Sequence, residues 1–201
     1  MKKLAIFGTG GAGREVAEWA RACGFEDVIL TVDDNFFTSI EINGFLCIPF
    51  SQIAIEEYTW LVAVADSYLR EVITKKLNNQ VEFATLVHPA AIVEPGVQIG
   101  EGALIGPRVL IGNNVKIGKH VFVNSQSYIG HDGVIGDYVT ISPCTAVLGN
   151  CKIESHAFLG ANSSIKEGTS ISSGTIIGMG AVVIKNLSRG VYVGNPARKI
   201  K

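Results

Sequence analysis

The sequence predicts an α/β unit of parallel strands over residues 1–82, a prism of short parallel β-strands over residues 83–187, and a tail over residues 188–201. Three observations carry this reading. An apolar run, a glycine-rich turn and an amphipathic helix follow one another at the start of the chain. A six-residue repeat then runs without interruption from Leu86 to Leu187. Between them, near Val81, the hydrophobic period changes.

The front unit is read first. LAIF (4–7) is a short apolar strand, and REVAEWARACGF (14–25) is helical. Val16, Trp19, Ala20 and Cys23 share one face at helical spacing, and Gly24 is a stop signal. VILTV (28–32) is a second strand, ended by Asp33-Asp34-Asn35. WLVAVA (60–65) is a third, followed by a charged helix from Ser67 to Leu77. Strand–helix alternation of this kind builds a parallel sheet, with ligands expected at the carboxyl ends of its strands.

Written in sixes from Leu86, the second position is Val, Ile or Leu in every repeat, from Val87 through Ile135 to Val183. The sixth position is mostly small or β-branched, and glycine is frequent at the third. A period of six holds no face in register with 3.6 residues per turn, so a helix is excluded. Short parallel strands joined by tight turns satisfy it. Three hexads make one triangular coil of about 18 residues, and coils stacked at about 4.8 Å give a prism roughly 27 Å long.

Bulk properties exclude several function classes. Basic and acidic residues nearly cancel, at 17 against 18, and no basic run is interleaved with aromatics. Nucleic acid is therefore not an expected partner. MKKLAIFG is far short of a secretory signal, and no apolar stretch approaches the ~20 residues of a membrane span. The four cysteines show neither C-x-x-C nor framework spacing. Reduced thiols in a cytoplasmic, membrane-free protein are expected.

The glycine turn poses the functional question. GTGGAG (8–13) reads G-x-G-x-x-G between strand and helix, and Asp33 follows at roughly the 20-residue separation of a nicotinamide-binding fold. A full dinucleotide fold needs two mononucleotide halves. Only about 80 residues precede the repeats, which is room for one. Half a Rossmann fold suits a nucleoside diphosphate, cradled by backbone N–H groups at a helix start. Asp33 and Asp34 are placed to accept from a base or ribose hydroxyl, and Ala65 ends the third strand.

Histidine is the usual general base near neutral pH, and a backbone N–H beside it can stabilise a developing oxyanion. His131, in YIGHDGVIGD (128–137), falls on a turn at the fourth hexad position, pointing away from the aliphatic interior. Asp132 beside it can hold one imidazole nitrogen protonated and leave the other as acceptor. Gly149 lies 18 residues on, one coil above, where its N–H is an oxyanion candidate. His88 precedes Pro89 and reads as a cap. His120 and His156 are two coils apart and stack on one edge. Lys185, Arg189, Arg198 and Lys199 form a basic cluster suited to phosphates.

With the hexads, the G-x-G-G-x-G front unit and the ending GVYVGNPARKI (190–200), the chain resembles the hexapeptide-repeat sugar acyltransferases. Nucleotide-amino-sugar N-acetyltransferases of the bacillosamine and perosamine type are the nearest kind, with sialic acid O-acetyltransferases beside them. The resemblance implies a left-handed β-helix, an acetyl-CoA co-substrate, a nucleotide-linked amino sugar as acceptor, and a homotrimer with sites between subunits in cytoplasmic surface-glycan synthesis. It implies His131 as base with Asp132 and Gly149 in the catalytic set. Nucleotide contacts are implied at Gly10, Gly11 and Ala12, where many members carry histidine in place of Ala12. Coenzyme A contacts are implied at Thr140, Ala161 and Met179, with Lys185 and Arg198 near its phosphates. O-acetylation of a sugar hydroxyl and non-catalytic nucleotide-sugar binding are the alternatives. The same repeats also build zinc carbonic anhydrases, which resemble His120 and His156 with a third histidine. Ala161 occupies the third place, so no metal is expected.

Overall fold

The computed structural model describes residues 3–77 and 80–201. Met1, Lys2 and residues 78–79 of the expected front unit lie outside the described residues. The front unit runs β1 (Lys3–Phe7), α1 (Gly11–Ala22), β2 (Val28–Val32), β3 (Glu41–Ile42), β4 (Phe45–Pro49), β5 (Tyr58–Val62), α2 (Ser67–Leu77) and β6 (Glu82–Phe83). They form a six-stranded sheet ordered β3-β4-β2-β1-β5-β6, parallel except for the β3–β4 hairpin. The hairpin and β6 are additions to the three strands read from sequence. FLCIP lacks a following helix and carries a proline, both of which mask a parallel strand. Leu4, Ile6, Leu30 and Leu61 are fully buried, as strands covered on both faces must be.

From Leu86–Val87 to Val182–Val183 the chain makes seventeen two-residue strands. They pair in parallel at a spacing of 18 residues, such as Leu104↔Phe122 and Tyr128↔Ala146, and make three sheets. The first sheet holds Leu104, Phe122 and Thr140, the second Leu110, Tyr128 and Ala146, and the third Lys116, Val134 and Lys152.

Both the second and the sixth hexad positions face inward. Ile105, Ile111, Ile129, Ile141, Ile165 and Ile177 are fully buried, and so are Val109, Val115, Val121 and Val139. Each such aliphatic side chain contributes about 1.5–3 kcal/mol on burial. Polar sixth positions fit this interior because their hydroxyls bond the coil above. Ser127 Oγ donates to the Ser142 carbonyl at 3.0 Å, and Thr145 Oγ1 to the Gly160 carbonyl at 3.1 Å.

The fifth position is left-handed at successive turns, with φ of 58° at Arg108, 60° at Asn114, 56° at Asp132 and 59° at Tyr138. The tail is no loose end. Val191–Val193 continues the first sheet beside Ile176–Ile177, and Arg198–Lys199 folds back antiparallel on it.

The front unit docks on the first sheet. Leu86, Leu104 and Phe122 share a core with Val16, Trp19 and Ala20 of α1, and the Trp19 and Phe122 rings meet edge to face at 5.9 Å. Helix α2 lies along the edge between the third and first sheets, where Tyr68 stacks on His156 at 4.5 Å and Thr74 Oγ1 meets the Tyr138 hydroxyl at 3.0 Å.

Candidate active site

A cleft of about 380 Å³ opens over the carboxyl ends of β1, β2 and β5. Gly10, Gly11, Ala12, Asp33 and Ala65 all line it. Gly8 and Gly13 are there for space, whereas Gly10 and Gly11 face open room. A Cβ on Gly13 would fall 1.9 Å from the Gly8 carbonyl oxygen, and one on Gly8 would fall 2.7 Å from that of Ala63. The helix start and the 63–65 segment are thus interlocked through Gly8. Helix α1 receives no side-chain cap, so its first N–H groups remain available to an anion.

The structure separates the two acidic residues after β2. Asp33 stands at the cleft and pairs with Lys76 Nζ at 2.5 Å. Asp34 accepts from the Ser51 N–H and hydroxyl, and these bonds hold its carboxyl below the usual range. Its carboxylate therefore fixes the turn after β2.

His131 occupies the edge between the second and third sheets. Its Nδ1 lies 2.9 Å from Asp132 Oδ2, while Asn114 Nδ2 donates to Asp132 Oδ1 at 3.2 Å. These two bonds, the histidine's first, hold the Asp132 carboxyl below its ordinary value. An ionised carboxylate only accepts, so Nδ1 carries the proton and Nε2 keeps its lone pair. The ring lies over Gly149 of the next coil: a Cβ there would sit 2.6 Å from Nε2 and 2.7 Å from Cε1. Below, a Cβ on Gly130 would meet the Gly149 nitrogen at 2.5 Å. Among the described residues the Gly149 N–H donates to no backbone carbonyl. A lone pair and a free donor therefore stand side by side on neighbouring coils.

The five residues implied for coenzyme A do not share one surface of the single chain. Ala161 and Met179 stack one coil apart on the edge between the first and second sheets, where Met179 is 79% exposed. Lys185 stands three coils above His131 on the edge between the second and third sheets. Arg198 is on the terminal strand of the first sheet. Thr140 is buried, its Oγ1 donating to the Ala65 carbonyl at 2.9 Å and accepting from Arg70. Its side chain joins the prism to the cleft wall.

His120, Tyr138 and His156 stack on the remaining edge with ring centroids 5.2 Å apart. Burial pushes His120 down to about 4 and lowers His156 as well. Among the described residues, no group of three or more His, Cys, Asp or Glu is arranged to hold a metal ion.

Comparison with known proteins fixes the family. Residues 3–77 match the PglD N-terminal domain, and residues 151–185 match the hexapeptide repeat of succinyl-transferase. A GDP-perosamine N-acetyltransferase of Escherichia coli O157:H7 is 37% identical over 181 residues, spanning 84% of this chain and 80% of the relative. This chain belongs to the hexapeptide-repeat sugar N-acetyltransferases. The acetyltransferase domain of PglB from Neisseria gonorrhoeae FA1090, solved with acetyl coenzyme A, is 29% identical with a TM-score of 0.92 over 99% of both chains. PerB from Caulobacter crescentus, solved with CoA and GDP-perosamine, is 26% identical with a TM-score of 0.92, over 100% of this chain and 98% of its own.

Three features of this acetyltransferase escape sequence reasoning. Phe36, Leu69 and Ile73 join the cleft lining, and Lys76 reaches Asp33 while lying 4.0 Å over the Phe50 ring. Arg70 is buried at the seam between prism and front unit. Helical spacing places Ile73 and Lys76 on one side of α2, the only sequence signal for them. Arg70 falls at helical spacing with Ile73 and Leu77 on the buried face of α2, but its charge argues against burial.

Proposed function

We propose that this acetyltransferase moves the acetyl group of acetyl-CoA to the amine of a nucleotide-linked amino-deoxy sugar, with His131 as general base. The observation that carries the proposal is the His131–Asp132 pair seated over Gly149. The neutral amine attacks the thioester carbonyl and a C–N bond forms. His131 Nε2 takes the amine proton. The Gly149 N–H donates to the oxyanion of the tetrahedral intermediate. Collapse breaks the C–S bond, and the imidazolium returns its proton to the departing sulfur. Asp132 steadies the ring and the positive charge it acquires.

The sugar nucleotide binds the front cleft, with its diphosphate at the Gly10–Ala12 turn and Asp33 near the base or ribose. Coenzyme A runs in the groove between neighbouring copies, lined by Ala161, Met179, Lys185 and Arg198 of adjoining chains, while the buried Thr140 stays in the wall of the front cleft. The layout favours a homotrimer. His131 stands on the edge opposite the first sheet, whereas the front unit docks on that sheet. The cleft serving a given His131 is then that of a neighbouring copy. Transfer to nitrogen is favoured over transfer to oxygen because the 37% identical relative is an N-acetyltransferase. The product enters surface-glycan synthesis on the cytoplasmic side.

The test offers acetyl-CoA with GDP-perosamine and with UDP- and dTDP-linked 4-amino-4,6-dideoxy sugars, read by thiol release and product mass. Turnover of at least one, with gain of one acetyl group, is expected. Absence of turnover with the whole panel overturns the proposal. A monomer mass by light scattering at micromolar concentration overturns the shared site.

A further inference from the structure

Among the described residues Arg70 is the most deeply buried charged side chain, at 1% exposure; no carboxylate stands in ion-pair contact with it, and Asp66 acts on it only from a distance. Six neutral oxygens surround it instead. On the prism side, Nε donates to the His120 carbonyl at 2.9 Å, and Nη2 to the Tyr138 carbonyl at 2.7 Å, the Val139 carbonyl at 3.3 Å and Thr140 Oγ1 at 3.0 Å. On the cleft side, Nη1 donates to the carbonyls of Val64 at 2.5 Å and Ala65 at 3.2 Å. Burial lowers the guanidinium to about 10, so it stays charged at neutral pH. A buried cation held chiefly by dipoles is costly to misplace, because every displaced carbonyl leaves it less compensated.

Its position gives that rigidity a purpose. Val64 and Ala65 line the cleft, and Ala63 before them packs on Gly8. Gly8 in turn packs on Gly13, at the helix start. A displacement of 64–65 therefore moves the β5 wall of the cleft and the glycine turn together. Thr140 Oγ1, itself held by Arg70, makes a second bond to the Ala65 carbonyl.

We infer that Arg70 is a positioning residue for the acceptor. It clamps the floor of the nucleotide-sugar cleft to the 138–140 turn of the prism, so that acceptor affinity depends on the seam. This rests on the assignment of the cleft to the sugar nucleotide. A planar guanidinium can serve both sides at once, whereas an ammonium has three donors at one point and cannot span them.

Two variants and one exchange measurement test it. Arg70→Lys keeps the charge and loses the fork. Its KM for the sugar nucleotide should rise tenfold or more, with the KM for acetyl-CoA within twofold of wild type. Thr74→Val removes the bond to the Tyr138 hydroxyl at the same seam, from a residue that bonds neither Arg70 nor the 64–65 carbonyls. It should lower the melting temperature and leave both KM values unchanged. A folded Arg70→Lys protein with an unchanged KM for the sugar nucleotide overturns the inference. If that variant does not fold, hydrogen exchange on the wild type decides. Saturating GDP should slow amides at 63–65 and also at 138–140, and protection that stops at the seam overturns the inference. Calorimetry with GDP reads the same affinity in a protein that turns over no sugar, so failure of the proposed activity is told apart from failure of the clamp.

Discussion

Gly149→Ala isolates the imidazole with a single methyl group. The Gly149 backbone is open to alanine, since its φ is not in the left-handed region. The added Cβ would nevertheless lie 2.6 Å from His131 Nε2, 2.7 Å from Cε1 and 3.0 Å from Cδ2. Carbon and nitrogen rest at about 3.5 Å or more, so the ring must leave its seat by close to an ångström. It can do so at small cost to the fold, because the His131 side chain is 52% exposed and carries no part of the aliphatic ladder. The Asp132 bond and the alignment of Nε2 beside the Gly149 N–H are lost together. General base catalysis is worth about 10²–10⁴-fold, and a misplacement of this size near reacting atoms costs about 10²-fold. The variant should show kcat reduced by about 10²-fold or more, with a stability change below ~1 kcal/mol. Steady-state kinetics and a denaturant melt on the same preparation read both. The double variant with His131→Ala should be little worse than His131→Ala alone, since both remove one function. A Gly149→Ala enzyme within threefold of wild-type kcat refutes the placement of the base on Nε2.

Asp132→Asn should lower kcat by less than His131→Ala, because the carboxylate orients and polarises without taking the proton. Equal losses in the two variants would give Asp132 a larger part. Asp33→Ala should raise the KM for the sugar nucleotide and leave that for acetyl-CoA nearly unchanged; an effect confined to acetyl-CoA would remove Asp33 from the acceptor cleft. Acid stability should be governed in part by His120, whose folded value of about 4 lies below the ordinary 6.5. Its contribution is fully present above about pH 6.5 and is lost as pH falls toward 4, by at most roughly 3 kcal/mol. Urea midpoints at pH 7, 5 and 4 should fall accordingly, and His120→Gln should flatten the slope; an unchanged slope assigns the acid limb to other groups.

The prism was legible because its signal is repeated. One inward aliphatic residue every six positions over seventeen hexads outweighs any local ambiguity, and it set the register that put His131 one coil below Gly149. Asp132 beside His131 needed no tertiary information, being adjacent in sequence. The hairpin at 41–49 was not legible, since a two-residue strand and a proline-ended strand carry little pattern. Asp33 and Asp34 look equivalent in sequence. Only the path of the chain past Ser51 sends one carboxylate to the cleft and the other into a turn. Arg70 is the clearest limit. An arginine four residues into a charged helix reads as a solvated side chain, and its burial depends on where the prism stands 50–70 residues later.

The 18-residue coil makes the prism a ruler graduated in steps of about 4.8 Å. Distances along an edge change only by whole graduations: an insertion that is not a multiple of six turns the aliphatic ladder outward, and one of six or twelve carries all that follows to another edge. His131 and Gly149 must occupy adjacent marks, so no coil can be added between them. Above Gly149 the constraint relaxes. A coil inserted there would carry Lys185 and the terminal strands up by one mark and leave the spacing of His131 and Gly149 unchanged. Length can therefore be gained or lost above this pair in whole coils, without altering the distance between His131 and Gly149.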